Sequence, residues 1–491
     1  MDEDLDLVSK LGAEEKAVAE FRLKSISPDD GKYGKSADRL RDYLSAEAEW
    51  RECVKIQSFL LEVRTSYGKV RPEQACEVIN SSKKISPLNM SLLEEKVTKH
   101  DQLAVIEEIG RYVKPETKAL LHPGTTSYDI LDTARSSLLK RAWCEVVRPE
   151  ISNSIEQLCN LAERSMNILQ VGRTHLQDTS PVPFGATLAG YAARIANRTE
   201  LCDKYFNALK GKISGIVGTG ASIEMVIGKD KALDFEKKVL ALLNLKPDYT
   251  ATQIVQKEAW ADVGHGLTTL MHVLADFTND IRMLYSSAIG EVTSRDNAER
   301  LGGSSADATK NNPIQYENIT GKVAVVESGM RILYEMIHSD FQRDGRDMVQ
   351  GRYQPQSMMT QVFESFSRLN TSLPQLSINE DIISKNLESI RRNPSEAMVA
   401  ILRGESWIHS KYGIGHDFVK EIGKKAKKES RGLTEVALED QEFKLLYDKL
   451  PVYKREILNG KLENYIGCSV EKAIKNIDYA QTIARGKQQN G

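Results

Sequence analysis

Apolar residues along this chain recur at steps of three and four, the spacing that lines one face of an α-helix. From about Ser36 to Val63 the marks are Leu40, Tyr43, Leu44, Trp50, Val54 and Leu60, and a second run extends from Ser91 to about Val113. Longer runs occupy roughly 128–166, 184–211 and 314–339. The longest passes from Thr250 to about Ala298 without a proline, with Leu267, Leu270, Met271, Leu274, Phe277, Ile281 and Leu284 on one face. Helices of that reach exceed the ordinary globular helix and predict a long-helix bundle, one shared between subunits. No stretch of any length alternates apolar and polar residues, so the expected class is all-α, with at most minor strands around 213–227.

Breaks in this pattern divide the chain. Residues 1–27 read as a short amphipathic or frayed segment, and the Ser-Pro-Asp-Asp-Gly-Lys-Tyr-Gly turn at 27–34 closes it. Past Pro374 the helices shorten and Asn393-Pro394-Ser395 interrupts them. The expected domains are an N-terminal helical domain at 1–123, a central long-helix bundle at 124–374 and a C-terminal helical domain at 375–491.

Composition narrows the class of function. The 491 residues are ample for a large core. Lys and Arg number 67 against 69 Asp and Glu, a net charge of -2, which favours neither nucleic acid nor a membrane surface as partner. A small anionic substrate would need a local group of cations instead. The basic run Lys424, Lys425, Lys427, Lys428, Arg431 is read as a solvated face. Six cysteines lie far apart without a Cys-x-x-Cys pair, so no metal site or disulfide framework is signalled. The acidic start is unlike a secretory signal, and no apolar run approaches the roughly 20 residues of a membrane helix. A soluble cytoplasmic protein is expected.

Candidate chemistry sits at the helix ends. Gly302-Gly303-Ser304-Ser305 is a donor-rich flexible segment, and Asn312-Pro313 is a plausible helix start. With Lys310 beside it, that helix N-terminus could hold a carboxylate, or the whole could be a surface loop between bundle helices. Lys32 and Tyr33 could grip a phosphate or cap the next helix. His100, flanked by Lys99 and Asp101, is a tunable imidazole or an ordinary satisfied one. After His122-Pro123-Gly124 come Thr125, Thr126 and Ser127, of which helix capping would use one. Gly172-Arg173-Thr174-His175-Leu176-Gln177-Asp178 is a polar connection between helices, and also a place to hang a catalytic histidine. Thr252-Gln253 places an amide at the expected start of the longest helix. Arg343, Arg346 and Arg352 could hold anionic oxygens, or pair with Asp344 and Asp347 in a structural ion network.

In this order the segments resemble the fumarase/aspartase superfamily, and within it the adenylosuccinate lyase family. Gly303-Ser304-Ser305 and Lys310-x-Asn312-Pro313 are in register with the superfamily's loop, where Asp307 and Ala308 replace a Met-Pro. Thr126-Ser127 with Asp129, and Gly172-Arg173-Thr174-His175, match its other two segments. More specific to adenylosuccinate lyases are Asp30-Gly31-Lys32-Tyr33, His100-Asp101, Thr252-Gln253, Gln342-Arg343-Asp344 and Asn464-Tyr465-Ile466-Gly467. Lys32 stands where Arg is usual, and Met348-Val349 where the family supplies a Ser or Thr near its phosphate site. The resemblance spans about 28 to 470.

The resemblance implies a three-domain fold with a central bundle, assembled as a homotetramer whose subunits share active sites. It implies a carbon–nitrogen lyase of purine biosynthesis, which releases fumarate by anti elimination. The substrates would be adenylosuccinate, giving AMP, and the succinyl-carboxamide ribotide SAICAR, giving AICAR. Ser304 would be the general base, His175 the general acid, Glu317 the carboxylate that orients the catalytic histidine, and Lys310 a cation at the developing oxyanion. Lys32, Tyr33, His100, Asp101, Thr126, Ser127, Thr174, Gln253, Ser305, Asn312, Arg343 and Arg352 would bind substrate. Neither cofactor nor metal is called for. A sister lyase acting on another N-substituted aspartate, or a non-enzymatic helical bundle on the same scaffold, are the alternative expectations.

Overall fold

The computed structural model describes residues 8, 11–294, 306–307, 310–404 and 415–486, with the side chains of 352 and 353 outside that description. Helices dominate, as the periodicity predicts. The chain groups into two compact units: Met1–Ile151, Arg198–His272 and Gly321–Arg368 form one, and Ser152–Asn197, Val273–Thr320 and Leu369–Gly491 the other. Among the described residues no helix is long and apolar enough to cross a membrane.

The first unit is built on the helix Ser127–Ala142, which is buried on nearly every side although it carries Asp129, Asp132 and Arg135. Each charge has a partner, as burial demands. Asp129 pairs with Lys212, both fully enclosed, while Lys257 Nζ lies 2.8 Å from Asp132 and Arg135 Nη2 3.0 Å from Glu49. Around this helix packs an apolar core that includes Ile56, Leu60, Val78, Met90, Val105, Ile130, Phe235 and Val239.

The second unit holds an antiparallel hairpin, Leu169–Thr174 with Gln177–Pro183, and a short antiparallel pair, Val292–Ser294 with Leu376–Ile378. Val171 packs with Ile383, Leu387 and Ile390, which seats the hairpin on the helix Glu380–Arg391. Met398, Leu402, Phe443, Leu446 and Leu458 make a separate core among the C-terminal helices.

Five sequence expectations need correction. The run from Ser91 to Val113 is not one helix, because Lys99 turns left-handed at φ 52° and a new helix, Asp101–Gly110, starts beyond it. Strands do not form at 213–227, where Ala221–Ile227 is a short helix; the hairpin and the pair at 292–294 and 376–378 lie elsewhere. The run from Ser36 to Val63 is two helices, Gly34–Leu44 and Ala46–Thr65, because Ser45 Oγ accepts the Ala48 N–H at 3.2 Å and caps the second. The longest helix is Glu258–Tyr285, shorter than the proline-free stretch. Thr252 and Gln253 therefore lie ahead of it in irregular backbone rather than at its start. Asp248 explains this, since it accepts Thr250 Oγ1 and the Gln256 N–H, both at 2.8 Å, and so competes with helical bonding.

Candidate active site

In the first unit, the segment before Ser127–Ala142 is held from below. Arg64 is only 2% exposed and donates to the carbonyls of Leu120 at 2.9 Å and Pro123 at 2.6 Å. Gly124 has φ +77°, and a Cβ there would lie 2.9 Å from the Ser222 carbonyl, so glycine is needed both for the turn and for the close approach. Thr125 Oγ1 donates to the His122 carbonyl at 2.7 Å, which spends one of the three hydroxyls locally. The Thr126 N–H donates to Asp129 Oδ2 at 2.7 Å, and Asp129 also accepts the Ser214 and Gly215 N–H groups at 3.0 and 3.1 Å. The Asp129 that matches the superfamily pattern is thus a buried anchor for the helix start.

Ser127 faces outward from that anchor. Its Oγ is 3.1 Å from His100 Nε2, while His100 Nδ1 accepts the Leu103 N–H at 3.5 Å and lies 3.5 Å from Asp101 Oδ1. His100 therefore does cap the helix Asp101–Gly110, and it reaches Ser127 as well. One residue on, the Tyr128 ring lies under Arg343, with the guanidinium carbon 3.6 Å from the ring centroid. Arg343 Nη1 donates to Gln253 Oε1 at 2.9 Å and Nε to Asp347 Oδ1 at 3.2 Å. The Gln342 carbonyl accepts Thr252 Oγ1 at 2.6 Å and the Gln253 N–H at 3.3 Å. His100, Ser127, Tyr128, Arg343 and Gln253 thus form one chain of contacts in which a planar cation is fixed by a ring and two acceptors.

Among the described residues, Arg346 and Lys32 make no bond to this group. Arg346 pairs with Asp344 at 2.6 Å and Asp340 at 3.5 Å, the structural network that the sequence left open, and its hydrogen bond holds the Asp344 carboxyl far below the usual range. Lys32 is exposed, and Tyr33 occupies the cap position of Gly34–Leu44 with its ring 5.1 Å from Lys322 Nζ. The Arg352 side chain lies outside the described residues.

In the second unit, His175 and Leu176 form the two-residue turn of the hairpin, with φ of 54° and 60°. Such turns ordinarily take glycine or asparagine, so an exposed histidine and leucine there are held under strain. The stem supplies the restraint. Arg173 Nη2 lies 2.6 Å from the fully enclosed Glu291 and Nε 3.3 Å from Asp178, and Thr179 Oγ1 donates to the Gly172 carbonyl at 2.9 Å. Thr174, exposed, ends the first strand. Ser304 and Ser305 lie outside the described residues. Lys310 is exposed and its N–H donates to the Asp307 carbonyl at 3.2 Å; Asn312 and Pro313 precede the helix Ile314–Glu335. The Glu317 N–H donates to the Pro313 carbonyl at 3.1 Å, one turn into that helix, and its carboxylate faces Arg282 at 3.8 Å. Within this unit neither Lys310 nor Glu317 bonds to His175.

Tyr128, Glu291 and Arg282 are not among the residues that the sequence marks as candidates. Tyr128 carried a signal, an aromatic directly after the Thr126-Ser127 pair; the other two had none, since their partners are remote in sequence. Among the described residues no group of His, Cys, Asp and Glu could hold a metal ion.

The sequence profile of a family described as lyase matches residues 40–327. Adenylosuccinate lyase of Methanocaldococcus jannaschii is 27% identical over 470 residues, covering 93% of this chain and 97% of that enzyme. Among solved structures, a fumarate lyase from Mesorhizobium sp. BNC1 superposes with TM-score 0.75 at 22% identity, over 90% of this chain and 97% of that one. A 3-carboxy-cis,cis-muconate lactonizing enzyme from Pseudomonas putida gives TM-score 0.75 at 18% identity, over 91% and 98%. The last two speak for the fold alone. With the profile covering more than half of its length, the chain belongs to the lyase family, within the fumarase/aspartase superfamily.

Proposed function

We propose that this lyase is an adenylosuccinate lyase, cleaving adenylosuccinate to AMP and fumarate and SAICAR to AICAR and fumarate. The observation that carries the reading is the end-to-end likeness to the Methanocaldococcus jannaschii enzyme of that name, 27% identical over 93% of this chain. The contact chain of His100, Ser127, Tyr128, Arg343 and Gln253 supports it, because it offers an oriented cation and hydrogen-bonding groups to a substrate rich in anionic oxygens.

In the proposed reaction Ser304 removes the proton from the carbon next to a succinyl carboxylate. The electron pair delocalises onto that carboxylate, then forms the carbon–carbon double bond as the C–N bond breaks. His175 gives its proton to the departing nitrogen, and fumarate leaves. Serine is a weak base unless its alkoxide is stabilised, which is the task assigned to Lys310. Donors at Lys310, Asn312, Thr126 and Ser127 would stabilise the developing oxyanion by several kcal/mol, roughly the scale of one or two oxyanion-hole donors. Thr174, Ser305 and Asp101 are assigned to substrate binding, as are Lys32, Tyr33 and Arg352. Glu317 is assigned to orienting His175, across a subunit boundary, in a cytoplasmic homotetramer whose sites draw on several chains. The division into domains at 1–123, 124–374 and 375–491 belongs to the same reading.

One observation favours a second reading. Met348 and Val349 are 46% and 64% exposed where a hydroxyl would help grip phosphate, which suits a sister lyase with the same elimination and a different amine half. Purified protein supplied with adenylosuccinate or SAICAR should release fumarate and the matching ribotide in equal amounts. No turnover of either, with turnover of another N-substituted aspartate, would select the sister lyase.

A further inference from the structure

Glu291 has no exposed surface, and the proposed elimination gives it no task. Its carboxylate is nonetheless filled by donors from two distant parts of the second unit. Gln170 Nε2 donates to Oε2 at 2.6 Å, Arg173 Nη1 and Nη2 donate to Oε2 and Oε1 at 3.3 and 2.6 Å, and Asn386 Nδ2 donates to Oε1 at 2.8 Å. Its main chain is pinned too, the N–H donating to the Leu284 carbonyl at 3.0 Å and the carbonyl accepting the Asn379 N–H at 2.9 Å.

Gln170 and Arg173 belong to the first strand of the hairpin, and His175 stands at its tip two residues beyond Arg173. The opposite strand leans on the same helix: Asp178 takes Arg173 Nε at 3.3 Å and Ser389 Oγ at 2.9 Å. A turn with two left-handed, non-glycine residues persists only when its surroundings over-determine it. Apolar packing would stabilise such a stem without fixing its direction, whereas a two-pronged arginine–carboxylate pair has a defined plane. The fixed plane is what an exposed imidazole at the end of a two-stranded ribbon requires.

We infer that Glu291 is a positioning residue, which aims the His175 imidazole by clamping Gln170 and Arg173 to Asn386. This rests on the proposed role of His175 and adds the group that holds it. The two fail separately in a double-mutant cycle on the full-length protein, using Glu291→Gln alone and in the His175→Ala background. Glu291→Gln is expected to lower kcat about tenfold or more with KM within about twofold, and to cost less than about threefold once His175 is gone, since it acts through that ring. Equal losses in both backgrounds, or a loss confined to KM, overturn the inference and leave the lyase reading standing. Wild-type turnover by His175→Ala overturns that reading, and the inference with it. Should Glu291→Gln fail to fold, Asn386→Ala, which keeps the ion pair but frees it from the helix, carries the same cycle, with an expected kcat loss of about fivefold while His175 is present and no loss once it is replaced; equal losses in both overturn the inference.

Discussion

A guanidinium lying flat on an aromatic ring presents its N–H groups in one plane, and Arg343 is held that way, with Tyr128 beneath, Gln253 at Nη1 and Asp347 at Nε. Lysine carries the charge without the plane or the fork. Arg343→Lys should therefore raise KM for the nucleotide substrate about tenfold, about 1.4 kcal/mol, while kcat stays within about threefold. Steady-state kinetics check this, and an unchanged KM would remove Arg343 from the binding set. His122 tests the same region by stability. Burial holds its ring below the ordinary imidazole range, helped by the Arg64 charge and opposed by the Asp129 carboxylate. Below about pH 6.5 the unfolded chain binds a proton there that the native chain refuses, so native stability, intact above that pH, falls as pH drops until the native ring titrates. His122→Asn, which tolerates the left-handed backbone at φ 70°, should flatten that acid-side loss in urea titrations run between about pH 7.5 and about pH 5.5. At this scale the chemical types were legible in the sequence and the partners were not. His100, Ser127 and Arg343 stand out by their neighbours along the chain, but nothing local says that Tyr128 meets Arg343 or that Glu291 meets Arg173.

Elements were legible wherever one face repeats without a competing local bond. The helix Phe184–Asn207 follows its apolar run closely, and Ile314–Glu335 begins one residue after Pro313. Boundaries failed where a short polar side chain captured the backbone, at Ser45 and at Asp248. The hairpin escaped notice for a different reason. Its turn is His175-Leu176 with no glycine or asparagine, and its second strand contains Pro181 and Pro183, both signals against a strand. What fixes the hairpin is tertiary, and Gly185 shows it. A Cβ there would meet the Ala162 carbonyl at 2.1 Å and the Met166 nitrogen at 2.7 Å, backbone atoms that cannot step aside. Gly185→Ala should therefore destabilise the protein by about 1–3 kcal/mol in chemical denaturation, outweighing any gain in helix propensity. Because the hairpin lies between the two helices that this contact joins, kcat should fall along with stability. A more stable, fully active variant would refute the close approach.

For the whole molecule, the all-α class was legible from the length and periodicity of the helices, and the grouping into two interleaved units was not. The chain leaves and re-enters each unit inside Arg148–Arg164, Phe184–Asn207, Glu258–Tyr285, Ile314–Glu335 and Asp347–Ser372, at places where the residue pattern does not change. The first unit carries the His100, Ser127 and Arg343 group, and the second carries His175, Lys310 and Glu317. In the proposed homotetramer, the base and the acid of one elimination come from different chains. The most direct test mixes two inactive proteins, His175→Ala and Ser304→Ala, under conditions where labelled subunits are seen to exchange. Each alone should lose activity about 100-fold or more, and the mixture should recover about one quarter of wild-type turnover, because random assembly unites an intact acid and an intact base in one site in four. Undiminished turnover by either variant alone, or no recovery despite exchange, would contradict a serine and a histidine meeting from separate subunits across one succinyl group.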